Sequence, residues 1–409
     1  MSKDNSNFFI KKKIWSEVKD ELLGYYLVSY FTKILSTGNP VLYVDCFAGK
    51  GTFDDGKLGS PLTALRGLDR CLERQRLSQP PKVNMKFIEL NHYKELEDNI
   101  PSQHRSRCEV IPGKFEENIT HILNQAMLLN HHLNLFLYID PYGVKVLNAT
   151  FFDKLTAAFS TAELLINLNS FGFIREACRV RKVTFREQEE EIFSDLEEYD
   201  SSMLVSIKEL DEIAGGEYWQ EVIDSYSSGR INCYQAEMEF STRYKKRLRQ
   251  NYKYVLDMPI RLKPGQLPKY RMVHATNHRD GCILMADNIA KRTDHLVIGI
   301  QSGGQTSIMP QTAENEMVSE ELLIKRAKTL LERTTEYTRL NEFLADFYNE
   351  YGVLCDLARL SSGRNGSVMK TLEKNGYIDV QRTPPFTSTG KKSQFWQEKG
   401  TTLLLRKRR

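Results

Sequence analysis

The sequence of 409 residues contains no apolar run that approaches the roughly 18 residues a membrane-spanning helix needs. Its N-terminus, from Met1 to Lys13, is polar and then basic, without the apolar core of a secretory signal. The seven cysteines are scattered and form no Cys-x-x-Cys pair, so neither a disulfide framework nor a zinc site is expected. We therefore expect a cytoplasmic protein that does not associate with membranes.

Other chemistries are excluded by missing motifs. No Pro-Cys dipeptide occurs, which argues against covalent methylation of cytosine at C5, because that reaction needs a cysteine nucleophile. The three-cysteine spacing of an iron–sulfur cluster is also absent. His274 and His278 are four residues apart, but their segment begins like a strand, so they would not share a helical face and no metal site is expected.

The most informative stretch that is present runs from Val41 to Gly51. It begins as a short apolar run, typical of a buried parallel strand, and then becomes a loop rich in small residues. Glycine has no Cβ, so such a loop lets the backbone approach a ligand closely. The pattern Asp-x-Phe-Ala-Gly-x-Gly resembles motif I of Rossmann-type S-adenosylmethionine (SAM) methyltransferases. The candidate cofactor residues here are Asp45, Phe47, Ala48, Gly49 and Gly51.

Two other phosphate-binding motifs fit this loop less well. A dinucleotide fingerprint needs a third glycine, which is missing after Gly51. A P-loop needs a hydroxyl residue after Gly-Lys, but Leu58 follows Lys57. Nucleotide phosphate binding and a purely structural turn remain alternatives.

Strand and helix patterns alternate along the first 170 residues. This βα rhythm predicts a parallel, doubly wound α/β sheet with ligands at the carboxyl ends of its strands. An antiparallel hairpin, Tyr254–Ile260 with Tyr270–Ala275, is predicted to complete the sheet, as in SAM methyltransferases. The predicted strands before it are Val41–Cys46, Met85–Leu90, Cys108–Pro112, Leu133–Ile139 and Glu163–Leu168.

Two further strand ends carry candidate site residues. Glu89 closes the second strand, where a carboxylate can accept both ribose hydroxyls of a nucleoside cofactor. The fourth strand ends in Asp140-Pro141-Tyr142-Gly143, which resembles the Asp-Pro-Pro-Tyr motif of enzymes that methylate amino groups of nucleobases. Asp140 would accept a hydrogen bond from the target amine, and Tyr142 would stack on the base. The motif has one proline instead of two, so the target atom stays open, and a simple turn is the alternative.

The remaining chain is predicted to form three parts. Residues 1–298 are the methyltransferase-like domain, with an acidic helical insertion at about 175–250. Residues 299–316 are rich in Gly, Ser, Thr, Gln and Pro, which predicts a linker. Residues 317–409 follow the order of a winged helix-turn-helix, with a hairpin partner strand at Ser393–Trp396 and a basic tail.

Charge distribution indicates an anionic partner for this last part. Residues 351–409 hold 12 Lys and Arg against 4 Asp and Glu, a net charge of +8 in a chain whose total is +4. A basic region on a mildly acidic body favours nucleic acid, DNA or RNA, although it also suits a solubilising tail. The candidate nucleic-acid-binding residues are Arg364, Lys370, Lys374, Lys391 and Lys392.

Taken in order, these motifs resemble the three-Cys-motif partner family, which comprises bacterial and phage-associated proteins. The resemblance extends over residues 10–400 and includes Gly59-Ser60-Pro61-Leu62 and the stretch from Tyr270 to Asn277. It implies a methyltransferase-like domain, a winged helix and a partner, which is a radical-SAM-like protein with a three-cysteine motif. Any cluster chemistry would belong to that partner.

Two function classes follow from the sequence. The first is SAM-dependent methyl transfer to nucleic acid, with the winged helix holding the polymer. The second is a non-catalytic scaffold that binds nucleic acid or the partner on a methyltransferase fold. Binding of SAM distinguishes them.

Overall fold

The structure is a computed structural model of the chain. It describes residues 9–75, 80–129, 132–141, 149–185, 205–261, 268–301, 318–333, 336–363, 366–386, 390, 395 and 400–408.

A seven-stranded sheet forms the centre of the protein, with the order β3-β2-β1-β4-β5-β7-β6. The first five strands are parallel, and β7 runs antiparallel between β5 and β6. This confirms the predicted Rossmann-type, doubly wound α/β sheet and its terminal hairpin. The strands are β1 (Val41–Asp45), β2 (Val83–Glu89), β3 (Cys108–Pro112), β4 (Asn134–Ile139), β5 (Thr161–Leu168), β6 (Tyr254–Ile260) and β7 (Tyr270–Thr276).

Both faces of the sheet are covered by helices, because its strands are apolar on both sides. Val41 and Tyr43 of β1 belong to one hydrophobic cluster, and Leu42 and Val44 belong to the other. Continuous apolar runs of this kind are typical of parallel strands buried on both faces. The helices up to the hairpin are α1 (Ile14–Leu35), α2 (Ser60–Arg74), α3 (Tyr93–Asn99), α4 (Phe115–Leu129), α5 (Ala149–Asp153), α6 (Leu155–Ala158), α7 (Ser170–Val180), α8 (Ile207–Ala214), α9 (Trp219–Ser227) and α10 (Cys233–Leu248).

The region predicted as a helical insertion is helical where it is described. Helices α8, α9 and α10 pack on the same hydrophobic cluster as α7, through Trp219 and Phe240 among others. Two of these helices begin at capping boxes, at Ser206 and Asn232, which satisfy the first backbone amides of each helix. Most of the acidic run, residues 186–204, lies outside the described residues.

The first three residues of the predicted linker are helical. Helix α11 (Arg279–Gln301) continues past residue 298, and residues 302–317 lie outside the described residues. The amino-acid composition changes at residue 299, but the helix continues for three residues beyond that change.

The C-terminal part contains three further helices and a small antiparallel sheet of order β8-β10-β9. The winged-helix assignment stays a prediction. The elements are α12 (Glu320–Glu332), β8 (Thr338–Arg339), α13 (Leu340–Tyr351), a π-helical turn (Ala358–Ser362), α14 (Val368–Lys374), β9 (Ile378–Thr383) and β10 (Thr402–Lys407).

The strand that pairs with β9 in the described residues is β10, which includes Arg406 and Lys407 of the predicted basic tail. The strand predicted at Ser393–Trp396 lies, apart from Phe395, outside the described residues. Leu403 and Leu405 are buried while Arg406 faces outward beside Asp379, so the segment alternates like a strand. The run of cations at the end of the chain concealed this alternation.

The C-terminal helices share a core with the sheet. The cluster that contains Val18 and Tyr43 continues through Phe343 and Phe347 of α13 to Leu405.

If β10 is a strand of this core, Leu405→Ala will lower the free energy of unfolding by about 2–4 kcal/mol, because it removes a fully buried leucine side chain. Urea unfolding followed by circular dichroism measures this. The matched control is Lys407→Gln, two residues away at the protein surface, which will change stability by less than about 0.5 kcal/mol. Equal stability of L405A and wild type would show that residues 402–408 are a tail.

Candidate active site

The three carboxylates singled out in the sequence lie at one edge of the sheet. Asp45 ends β1, Glu89 ends β2 and Asp140 follows β4 directly. Strand β1 pairs with β2 on one side and β4 on the other, so the carboxyl ends of these parallel strands meet. This is the edge at which doubly wound sheets bind ligands.

The glycine loop after β1 is held by backbone hydrogen bonds. The amide of Ala48 donates to the carbonyl of Ile88 at 3.0 Å, and the carbonyl of Gly51 accepts from the amide of Gly59 at 2.7 Å. Gly51 has φ +85°, a conformation that favours glycine, and an added Cβ would lie 3.0 Å from Leu96 of α3. The loop therefore has a fixed shape.

Glu89 joins this loop to the end of β2. Its Oε2 accepts from the amide of Gly49 at 2.7 Å, and its Oε1 accepts from the amides of Asn91 and His92 at 2.9 and 3.1 Å. A carboxylate offers about four lone-pair positions, so three are in use. Without rearrangement Glu89 can accept one ribose hydroxyl, where the sequence analysis expected two.

Asp45 is fully buried. Its Oδ1 accepts from the amide of Phe47 at 3.2 Å, whereas Oδ2 makes no hydrogen bond of normal geometry with the described residues, although Ser60 lies close. Burial raises the pKa of Asp45 to about 8, and the hydrogen bonds from Ser60 and Phe47 oppose this only partly. At neutral pH the carboxyl is mostly protonated.

Asp140 is surrounded by donors. Lys19 of α1 donates to Oδ1 at 3.0 Å and to Oδ2 at 2.7 Å. Asn167 near the end of β5 donates to Oδ1 at 2.6 Å, and the Tyr138 hydroxyl donates to Oδ2 at 3.3 Å. The pair is largely shielded from solvent, with the Lys19 side chain 10% exposed and that of Asp140 24% exposed.

Helix α1 supplies the cations of this edge, which the sequence analysis missed. Besides Lys19, Lys12 precedes the helix and pairs with Asp20, a carboxyl whose pKa is raised by burial against the opposing effect of Lys12. One signal was available in the sequence. Lys19 is spaced three and seven residues from Leu22 and Tyr26 and so lies on the core face of the helix, where a lysine needs an anionic partner.

The other predicted site residues divide into three groups. Phe47 stacks on Phe115 with ring centroids 5.5 Å apart, so its ring packs against α4. Pro141 is buried beside Asp140. Tyr142 lies outside the described residues, so its position relative to Asp140 stays a prediction.

The predicted nucleic-acid-binding residues are described only in part. Lys370 donates from its ammonium group to the carbonyl of Gly363 at 2.6 Å, and Lys374 is exposed at the end of α14. The other three, Arg364, Lys391 and Lys392, lie outside the described residues.

His274 lies in the core of the protein and contacts a buried carboxylate. It is fully buried, and its Nε2 lies 3.3 Å from Glu163, which also accepts from the hydroxyls of Tyr26 and Thr276. In the part of the chain that the structure describes, no group of three His, Cys, Asp or Glu side chains could hold a metal ion. Within the same part, every helix is too short or too polar to cross a bilayer.

Comparison with known proteins gives only weak similarities. No family model and no curated protein matches this sequence. Among solved structures, a Legionella pneumophila protein of the DUF519 family has a TM-score of 0.33 at 10% identity, covering 63% of this chain and 85% of that one.

Two enzymes are similar at the same level. A spermidine synthase with a transition-state analogue has a TM-score of 0.29 at 8% identity, covering 67% of this chain and 65% of that one. Loganic acid methyltransferase with SAH has a TM-score of 0.28 at 8% identity, covering 100% and 98%. TM-scores below 0.5 carry no argument about activity, so the fold assignment rests on the strand order of the sheet.

The buried carboxyl of Asp45 predicts a dependence of stability on pH. Its pKa is about 8 in the folded protein and near 3.8 in the unfolded chain, so the folded state holds an extra proton between these values. Stability is therefore highest below pH 4 for this group and is lost as pH rises toward 8. Asp45→Asn stays neutral throughout, so between pH 5 and pH 9 it will gain about 1–3 kcal/mol relative to wild type. Urea unfolding of both proteins at pH 5, 7 and 9 tests this. Parallel pH profiles would contradict the assigned burial.

Proposed function

We propose that this chain is a SAM-dependent methyltransferase that modifies an exocyclic amine of a nucleic-acid base. The proposal rests on one observation. Asp45, Glu89 and Asp140 lie together at one edge of the sheet, next to a glycine loop that is held by hydrogen bonds. Fold alone does not define an activity, so the argument depends on what these residues can hold.

The cofactor side fits an adenosine cofactor with a cationic sulfur. Glu89 has one acceptor position left for a ribose hydroxyl, beside the Gly49 backbone that it fixes. Asp45 is fully buried, and Ser60 and Phe47 offset the effect of burial on its carboxyl only in part. A cation nearby favours the ionised form of such a carboxyl, so binding of SAM would stabilise a charge that is unfavourable in its absence.

The acceptor side fits an amine. When bound, SAM supplies an electrophilic methyl group on its sulfonium. Once one of its present donors leaves, Asp140 would accept a hydrogen bond from the amine and orient its lone pair toward that methyl group. It would then take up the proton that the nitrogen loses as the N–C bond forms and the S–C bond to the methyl group breaks, leaving a neutral thioether. Tyr142, next but one in the chain, would stack on the base.

The resemblance to the three-Cys-motif partner family also suggests a radical-SAM-like protein partner, and the net charge of the C-terminal part suggests that it contributes to polymer binding. Both proposals rest on the sequence. The scaffold alternative has the same fold but transfers no methyl group.

The ribose assignment predicts that Glu89→Ala will weaken SAM binding by about 1.5–3 kcal/mol, or tenfold to a hundredfold, because a charged hydrogen bond is lost. Isothermal titration calorimetry measures the affinity. Glu89→Gln keeps an acceptor for the Gly49 amide and so preserves the glycine loop. A loss of SAM affinity in this variant as well would therefore come from the cofactor contact. The control is Glu109→Ala, an exposed carboxylate on β3. An unchanged affinity for both Glu89 variants would refute the assignment.

The acceptor assignment predicts that Asp140→Asn will lower methyl transfer by more than about 100-fold, since it removes the positioned base. Affinity for SAM will stay within about twofold, because the interaction is made with the acceptor. Transfer of tritiated methyl to DNA, RNA and protein fractions from a host lacking this gene is the assay. If the wild-type protein labels none of these fractions, even with its partner, the scaffold function is the better one.

A further inference from the structure

The carboxylate of Asp140 has no acceptor position left for a substrate. Its Oδ1 accepts from Lys19 and Asn167, and its Oδ2 accepts from Lys19 and Tyr138. These four contacts use the four lone-pair positions of a carboxylate. An amine can be oriented by Asp140 only after one donor leaves.

Lys19 is the donor that can leave. Tyr138 and Asn167 lie on β4 and β5, hydrogen-bonded strands in the middle of the sheet. Lys19 reaches the carboxylate from α1 on a flexible four-carbon stem. Its ammonium group is nearly buried, so leaving Asp140 without a new anionic partner would be costly. An acceptor that releases Asp140 must therefore bring an anion.

The surroundings of Lys19 suit such an anion. The ammonium group of Lys19 lies 5.3 Å from the ring centroid of Tyr270, and that of Lys269 lies 5.4 Å from the same centroid. Lys269 also lies 5.3 Å from the ring of Trp15, over which Lys13 is placed at 5.8 Å. Three lysines and two aromatic rings thus form a chain of contacts that begins at Lys19, the lysine paired with Asp140.

This cluster is held in place by a second ion network. Arg271, the residue after Tyr270, donates from Nε to Glu237 of α10 at 2.6 Å and from Nη1 to Asp257 of β6 at 2.5 Å. The beginning of β7 is therefore fixed against α10 and β6. Gathered ammonium groups on a fixed frame favour phosphate over a neutral ligand.

We propose that Lys19 controls access to Asp140 by exchanging the carboxylate for a phosphate of the incoming nucleic acid. The inference rests on the proposed function, since it assigns the acceptor a phosphate next to its reacting base. Lys19 is a positioning residue in this scheme, and the exposed Lys13 holds a neighbouring phosphate. A neutral nucleoside does not displace Lys19, so the site selects polymers over free nucleosides.

A double-mutant cycle on oligonucleotide affinity tests the exchange without requiring activity. Fluorescence anisotropy with labelled single-stranded DNA and RNA 12-mers is measured at low salt for the full-length protein. Asp140→Asn no longer holds Lys19, so it will bind the oligonucleotide about three- to tenfold more tightly than wild type. Lys19→Met will bind about tenfold more weakly, with a salt slope lower by about 0.7. In the double variant the gain from D140N will disappear.

Two controls separate this exchange from a general effect of charge. Asp54→Asn removes an exposed carboxylate of the same sheet edge that pairs with Lys50 instead of Lys19, and will leave the affinity within about twofold. Lys82→Gln removes an exposed cation at the opposite edge of the sheet and will also have little effect. If K19M does not fold, the comparison of D140N with D54N still decides the question.

Additive effects in the cycle, equal gains in D140N and D54N, or no oligonucleotide binding at low salt would each overturn the inference. Its failure is distinguishable from failure of the proposed function. Methylation of nucleic acid without coupling between Lys19 and Asp140 would refute only the exchange. Coupling without any methyl transfer would refute only the proposed enzymatic activity.

Discussion

The ion pairs between α1 and the strand ends allow several carboxyls to be buried together at this edge of the sheet. Three carboxyls, those of Asp20, Asp45 and Asp140, are gathered where little solvent reaches them. Lys12 and Lys19 compensate two of them, and the third holds a proton at neutral pH. Among these five side chains positive and negative charges are equal in number, which favours burying them together. A helix ahead of the first strand is thus part of the site.

This balance separates the two halves of the candidate site. On the proposed cofactor side burial raises the pKa of Asp45 to about 8 against the opposing effect of Ser60 and Phe47, so its carboxyl would respond to a bound cation. On the proposed acceptor side the four acceptor positions of Asp140 are all occupied, so it would respond only if Lys19 moved toward an anion. Under the proposed function, a cationic cofactor and an anionic acceptor would act on different carboxyls of one charge cluster.

The sequence predicted the parts of the fold that local pattern controls. Apolar runs bounded by glycine loops predicted β1 to β5, and the alternation around residues 254–276 predicted the hairpin that completes the sheet. Glu89 and Asp140 were placed correctly at strand ends because that position follows from strand direction alone. The role of Lys19 could not be predicted, because its partner is 121 residues away and only the packing of α1 brings them together. The strand β10 was not predicted, because the cations at its end were interpreted as a basic tail and the short alternation of buried and exposed residues before them was overlooked.

The single hydrophobic cluster that joins α1, the sheet and α13 has a consequence for how the protein is built. Arg249 of the sheet region donates to the backbone of Asn349 at 2.8 Å, and Arg279 pairs with Glu342 at 2.8 Å, so polar contacts seal the same junction. Parts that share a core unfold cooperatively. The C-terminal helices are thus not a detachable module that could be transplanted to another enzyme, and a polymer held by them would be presented to the strand ends at a fixed distance.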